Sequence, residues 1–235
     1  MRSADPLPWG QQTLDAITAL AGSAPAAVLM RHPEREPIVD MKSADLIPLT
    51  PAGEAAARAL GRRLPCGRRV RLWHSPVGRC AVTAQRLAEG FRTAGGEAEL
   101  EGVLPILGGP YVLDVDGMLR LVSALGPRYA RAWFDGEVPS TVMAPRDEVA
   151  RQILRTAGDL LREAAPDSLL LFVTHDWNVM LVRESILGLT HEQVGWLDYM
   201  DGVLLTRDGA GIGVDWHGRR ARVPGAELAV EPASE

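Results

Sequence analysis

Apolar residues recur along this chain in two rhythms that alternate. Leu14, Ile17, Leu20 and Ala21 fall at helical spacing and predict an amphipathic helix over residues 10–22. Residues 26–30 (AAVLM) are a short unbroken apolar run, as a buried strand requires. The run stops at Arg31-His32-Pro33-Glu34-Arg35-Glu36-Pro37, whose prolines forbid a helix and predict a loop leaving the strand. Residues 38–49 read as further loop. Thr50-Pro51-Ala52-Gly53-Glu54 has the order of a helix start, with Thr50 as N-cap and Pro51 in the first turn, and predicts a helix to about Leu64. Residues 69–73 (RVRLW) alternate like a strand, His74-Ser75-Pro76 makes a turn, and residues 77–93 return to helical spacing through Val82, Leu87 and Phe91.

The second half repeats the alternation after an interruption. Residues 99–104 predict a strand. Residues 105–145 are irregular, with Gly108-Gly109-Pro110, Asp116-Gly117 and Pro139, and read as an insertion with one or two short helices near 118–134. A long helix follows over 145–165. Leu169 to Val173 is the plainest strand, and Thr174-His175-Asp176 follows it directly. Residues 177–188 predict a helix, and residues 190–197 a short one. Residues 203–206 and 211–216 predict a hairpin closed by Arg207-Asp208-Gly209-Ala210, and residues 223–235 a frayed tail. Strands alternating with helices over 235 residues predict one α/β domain, a three-layer α/β/α sandwich with a mostly parallel central sheet.

Composition narrows the function classes. The net charge of −5 lacks the basic excess of a nucleic-acid binder. No apolar run approaches the ~20 residues of a membrane span, and the N-terminus lacks the apolar stretch of a signal peptide. Cys66 and Cys80 make neither a disulfide framework nor a zinc spacing, so they are read as inert thiols. A cytoplasmic protein is expected, with no nucleic-acid or membrane partner; oligomeric state is left open. Of the 25 basic residues only Lys42 is not arginine, and arginine presents a planar fork suited to phosphate.

The candidate chemistry sits at strand ends. Three strands run out into polar clusters: Arg31-His32-x-x-Arg35, His74-Ser75-Pro76-x-x-Arg79 and His175-Asp176. Ligands of open α/β sheets bind beyond the carboxyl ends of the strands. If these strands are neighbours, one pocket collects Arg31, Arg35 and Arg79 with His32 and His175, and its natural occupant is a dianion such as a phosphoryl group. A neutral imidazole among arginines is a competent nucleophile toward phosphorus, and Asp176 is the obvious acid for the leaving alkoxide.

These residues resemble the histidine phosphatase superfamily, the phosphoglycerate-mutase-like and acid-phosphatase-like enzymes. The acid-phosphatase branch carries Arg-His-Gly-x-Arg-x-Pro, matched by residues 31–37 except for Pro33 in place of glycine. Leu49-Thr50-Pro51-Ala52-Gly53, Ser75-Pro76-x-x-Arg79 with Thr83-Ala84, and Thr174-His175-Asp176 with Asn178 are similar to its later signatures, in the family's order. The resemblance implies a phosphoglycerate-mutase-like fold with a small insertion over the site, and no metal or cofactor. It implies His32 as nucleophile, Arg31, Arg35, Arg79 and His175 as phosphate ligands, and Asp176 as acid and then base. The length matches the mutase branch, which takes its acid from an insertion glutamate, so Glu101, Asp114, Asp116 and Glu137 are rivals to Asp176. Pro33 removes an N–H that a phosphate would use.

Arg120, Arg128 and Arg131 in the insertion are candidates for a second anionic group of the substrate, and His74 for the pocket rim. His191 reads as surface and His217 as structural. The basic run from Arg62 to Arg71 reads as a solvated face, and Trp73, Trp133 and Trp177 as core packing. The leading function is a metal-independent phosphomonoester hydrolase acting on a small phosphorylated metabolite through a phosphohistidine. A mutase-like phosphotransferase and a non-catalytic phosphate binder are the alternatives.

Overall fold

The computed structural model describes residues 6–20 and 24–228. The end of the first expected helix (residues 21 and 22) and residues 229–235 of the expected tail lie outside the described residues. The tail expected from 223 is ordered at its start, with Val223 in a strand and Gly225–Leu228 in a short helix. A seven-stranded sheet runs in the order β3-β2-β4-β1-β5-β6-β7. The strands are β1 (Ala26–Arg31), β2 (Arg69–His74), β3 (Ala98–Val103), β4 (Ser168–Thr174), β5 (Gly202–Asp208), β6 (Gly211–Trp216) and β7 (Arg219–Val223).

The unbroken apolar run of β1 has a simple cause, because both faces of the strand are covered. Ala26, Val28 and Met30 join a core with Ala57, Leu60, Leu87 and Phe91 of α2 (Pro51–Arg63) and α3 (Gly78–Thr93) and with Leu14 and Ile17 of α1 (Gln11–Thr18). Ala27 and Leu29 face Ile153, Leu154, Val179 and Val182 of α6 (Arg146–Glu163) and α7 (Asp176–Leu187). A side-chain period of two sends alternate residues to opposite layers, which gives three layers. Each Leu or Val buried this way contributes about 1.5–3 kcal/mol.

The sheet is parallel over β3, β2, β4 and β1, and antiparallel from β5 onward. The expected hairpin is β5–β6, but β7 extends it, so only half of the pairings are parallel. The sequence of β7, RRARV, is too polar to announce a strand. The loop expected over 38–49 contains a 3-10 turn at Met41–Leu46. The insertion holds α4 (Val115–Leu125) and α5 (Tyr129–Phe134), and α8 (His191–Val194) is the short helix expected over 190–197. Among the described residues no helix is long and apolar enough to cross a membrane.

This topology makes the three polar clusters neighbours. Arg31 lies opposite Thr174, and His74 opposite Val173, so β1, β4 and β2 end at the same level with β4 in the middle. The loop after β1 is fixed by the start of α2. Thr50 caps that helix through Gly53 N–H (2.9 Å), its hydroxyl meets Glu34 Oε2 (2.7 Å), and its own N–H reaches the Glu34 carbonyl. A Cβ at Gly53 would collide with that carbonyl, so the position requires glycine.

Candidate active site

His32 extends β1 by one residue, its N–H donating to the Thr174 carbonyl at 2.9 Å. Its ring Nδ1 lies 2.7 Å from the Pro33 carbonyl. A carbonyl only accepts, so the proton is on Nδ1 and Nε2 carries the lone pair. Arg79 Nε faces that lone pair at 3.0 Å. Burial, then the Arg79 guanidinium, hold the imidazole well below its ordinary pKa, with the Pro33 carbonyl opposing and His175 and Arg31 reinforcing. The ring is therefore neutral, with its lone pair aimed into the cluster.

Arg79, the second residue of α3, organises the pocket. Besides His32 it reaches the Ala44 carbonyl through NH1 (2.7 Å) and His175 Nδ1 through NH2 (3.2 Å). A guanidinium only donates, so His175 accepts at Nδ1 and gives its Nε2 proton to Ser75 Oγ, 2.9 Å away. Ser75 also accepts from Val77 N–H. Burial lowers His175 to about 4; Arg79 adds to the shift, Asp176 opposes it, and Arg31 and Arg35 lower it further. The two imidazoles stand edge to face, 5.4 Å apart.

Arg31 and Asp176 close the other side. Arg31 NH2 meets Asp176 Oδ2 at 3.0 Å, and NH1 donates to the Leu197 carbonyl. The guanidinium lies over the Tyr199 ring, 4.2 Å from its centre. Arg31 Nε is buried with no partner among the described residues. A buried N–H without an acceptor is costly, and inside an arginine-lined pocket it points to an anionic occupant. Asp176 opens α7; its Oδ1 accepts from Trp177 N–H (3.0 Å) and its Oδ2 from the Trp196 indole (3.0 Å). Arg35 hydrogen-bonds the Glu36 carbonyl and acts on Arg79 and His175 through its charge.

The other candidates lie elsewhere. His74 Nδ1 contacts the Ser75 carbonyl. Arg120 is 72% exposed and pairs with Asp114, and Arg128 is exposed. Arg131 binds Glu184 (2.7 Å), Glu192 (3.2 Å) and Asp135 (3.4 Å), which ties the insertion to α7 and α8. Among the rival carboxylates, Glu101 pairs with Arg71, Asp114 caps α4, and Asp116 and Glu137 are exposed. His191, read as surface, is half-buried and held by Glu184 through both its N–H and its ring. His217 bonds the buried Asp201. Cys66 is exposed; Cys80 is buried, and burial pushes its thiol up to about 12. Among the described residues no three His, Cys, Asp or Glu side chains form a metal-holding group.

The residues that sequence reasoning missed come mainly from 195–199. Trp196, Leu197 and Tyr199 reach Asp176 and Arg31 from the strap before β5, and only the aromatic density of Gly195-Trp196-Leu197-Asp198-Tyr199 hints at it. Trp9 stands edge-on to Tyr199 at 5.5 Å. Asn178 and Thr174 both bond the Leu107 carbonyl and fasten the insertion to the end of β4.

The sequence matches the family described as the histidine phosphatase superfamily (branch 1) over residues 27–207. Mycobacterial glucosyl-3-phosphoglycerate phosphatase has a similar structure, with a TM-score of 0.57, 17% identity, and 84% of this chain covering 95% of that one. Bacillus stearothermophilus YhfR gives 0.58 at 18% identity, covering 88% of this chain and 100% of the other. The phosphoserine phosphatase of Entamoeba histolytica, solved with 3-phosphoglyceric acid, gives 0.52 at 18%, covering 77% and 90%. No curated protein matches the sequence.

Proposed function

The chain belongs to the histidine phosphatase superfamily, and from that premise we propose that it hydrolyses a small phosphate monoester through a phosphohistidine. The observation that carries the reading is the state of His32: neutral, Nδ1 tied to the Pro33 carbonyl, Nε2 lone pair presented beside Arg79. At rest Asp176 is the carboxylate partner of Arg31. In the first step phosphate takes over Arg31, Asp176 accepts the proton of the monoanionic substrate, Nε2 attacks phosphorus, the bond to the leaving oxygen breaks, and Asp176 gives that oxygen the proton. Arg31 and Arg79 hold the non-bridging oxygens, His175 joins them as a donor once the bound dianion draws a proton onto its Nδ1, and Arg35 adds positive charge from the rim. In the second step the Asp176 carboxylate takes a proton from water, the oxygen attacks phosphorus, and the N–P bond breaks. Phosphate leaves with the proton of Asp176, the carboxylate pairs again with Arg31, and His32 is neutral as at the start.

The resting ion pair between Arg31 and Asp176 supports the same reading. A phosphate group competes with Asp176 for Arg31, and the exchange brings the leaving oxygen to the carboxyl. Asp176 is favoured as the acid because it meets Arg31 inside the cluster, whereas Glu101 is paired with Arg71, Asp114 caps α4, and Asp116 and Glu137 are exposed. The neighbours' names, glucosyl-3-phosphoglycerate and phosphoserine phosphatase, make phosphorylated hydroxy acids and sugars the first substrates to try.

The test is turnover of p-nitrophenyl phosphate from pH 4 to 8 in EDTA, beside His32→Ala. Turnover that survives chelation and disappears in the variant is expected. Turnover by His32→Ala, or dependence on added Mg²⁺, would count against the reading. Product analysis with an added alcohol separates hydrolysis from phosphoryl transfer.

A further inference from the structure

We propose that Trp196 is the positioning residue of proton transfer, holding Asp176 Oδ2 toward the leaving oxygen and stabilising the carboxylate that forms. The inference rests on Asp176 being the acid. Trp196 is 44% exposed, yet its indole N–H is directed inward onto Oδ2 at 3.0 Å. Its placement is fixed from beneath. Glu184, with a side chain 1% exposed, accepts from His191 N–H and contacts its Nδ1, both at 2.9 Å. The His191 ring stands edge-on to the indole at 5.2 Å. Gly195 turns the chain at φ 86°, a conformation other residues rarely adopt. Its carbonyl is held by Arg183 NH2, from a side chain wholly out of solvent. Two residues later the buried Leu197 carbonyl takes Arg31.

This frame matters most when substrate is present. Oδ2 has two resting donors, Arg31 and Trp196. Once phosphate draws Arg31 away, the indole is the remaining described contact on that oxygen. One lone pair of Oδ2 then faces Trp196 and the other holds the proton beside the leaving oxygen. As that proton transfers, Asp176 becomes anionic and the indole bond strengthens, so it favours the transition state over the ground state. Losing a hydrogen bond to a forming charge costs roughly 10-fold in rate.

The experiment compares kcat/KM for p-nitrophenyl and phenyl phosphate in the wild type, Trp196→Phe, Trp196→Gln and Asp176→Asn. Phenolate is the poorer leaving group and depends more on the acid. Trp196→Phe is expected to raise the nitrophenyl-to-phenyl ratio about 10-fold, and Trp196→Gln, which keeps an N–H donor, to recover part of it. An unchanged ratio in Trp196→Phe, with a raised ratio in Asp176→Asn, overturns the proposal and leaves the acid in place. An unchanged ratio in Asp176→Asn overturns the assignment of the acid, and this proposal with it. Because Trp196 is half exposed, its replacement opens no core cavity, and circular dichroism checks the fold of each variant.

Discussion

Pro33 stands where the family motif has glycine, and at this position the backbone carbonyl does the work. That carbonyl takes the His32 Nδ1 proton and so leaves the lone pair on Nε2, the tautomer the proposed attack needs. Proline supplies it as well as glycine, and its fixed φ limits the unfolded chain. Pro33→Gly is therefore expected to lower stability by about 0.4–1 kcal/mol in urea titration and to leave kcat/KM within about threefold. A loss of activity beyond tenfold would show that the ring itself matters. The imidazoles predict a pH effect on folding. His175 titrates at 6.5 in the unfolded chain and at about 4 when folded. As pH falls below 6.5 the unfolded chain takes up a proton that the folded protein refuses, so stability present above 6.5 is lost progressively toward 4. The loss is on the order of 3 kcal/mol, and His32 is shifted the same way. Urea midpoints between pH 7.5 and 4.5 should fall, and fall less steeply in His175→Asn; an identical slope would refute the assignment. That His32, Arg79, His175 and Asp176 lie together was legible because each follows a strand end and an α/β sheet gathers such ends at one edge. Trp196 and Tyr199 were not, because their contacts with Asp176 and Arg31 depend on the path of the strap and not on a residue pattern. His191 was misread for the same reason, its partner Glu184 lying on another helix.

Among the elements, α2 and α3 are the pair whose spacing sets the site, since α3 carries Arg79. Gly61 and Gly90 let their backbones touch. A Cβ at Gly61 would collide with the Leu87 carbonyl, and one at Gly90 with the Arg58 carbonyl. Gly61→Ala or Gly90→Ala should each cost roughly 1–3 kcal/mol by overpacking. The double variant should cost less than the sum, because helices already pushed apart have room for the second methyl. Additive losses in thermal or urea unfolding would mean that the two contacts yield independently. The layers were legible where burial is one-sided or complete: β1 and β4 as solid apolar runs, α2, α3 and α6 as amphipathic repeats. The start of α2 was legible from its cap chemistry. β7 was not, because an edge strand with three arginines in five residues buries little and takes its conformation from pairing with β6. That missing strand is also why the sheet was expected to be mostly parallel.

Over the whole molecule, charge is distributed against the net balance. The chain carries −5, yet Arg31 and Arg79 cluster with two neutral imidazoles at the carboxyl end of the sheet, and the charge of Arg35 acts on Arg79 and His175. The fold concentrates positive potential where β1, β4 and β2 end together, and an anion there relieves repulsion among groups the fold has already placed. A ligand that binds only the folded state stabilises it by about 2.7 kcal/mol at 100 times its Kd. For a chain of this size that is a rise in Tm of roughly 5–10 °C. Sulfate is the sharper probe, since it stays a dianion throughout the range and phosphate does not. A bound dianion favours protonated His32 and His175, so proton uptake accompanies binding, and sulfate should stabilise more at pH 5 than at pH 7.5. Chloride at equal ionic strength should do neither, and Arg79→Ala should abolish most of the effect. A sulfate shift that ignores pH, or that survives in Arg79→Ala, would place the anion outside the cluster of His32, Arg79 and His175.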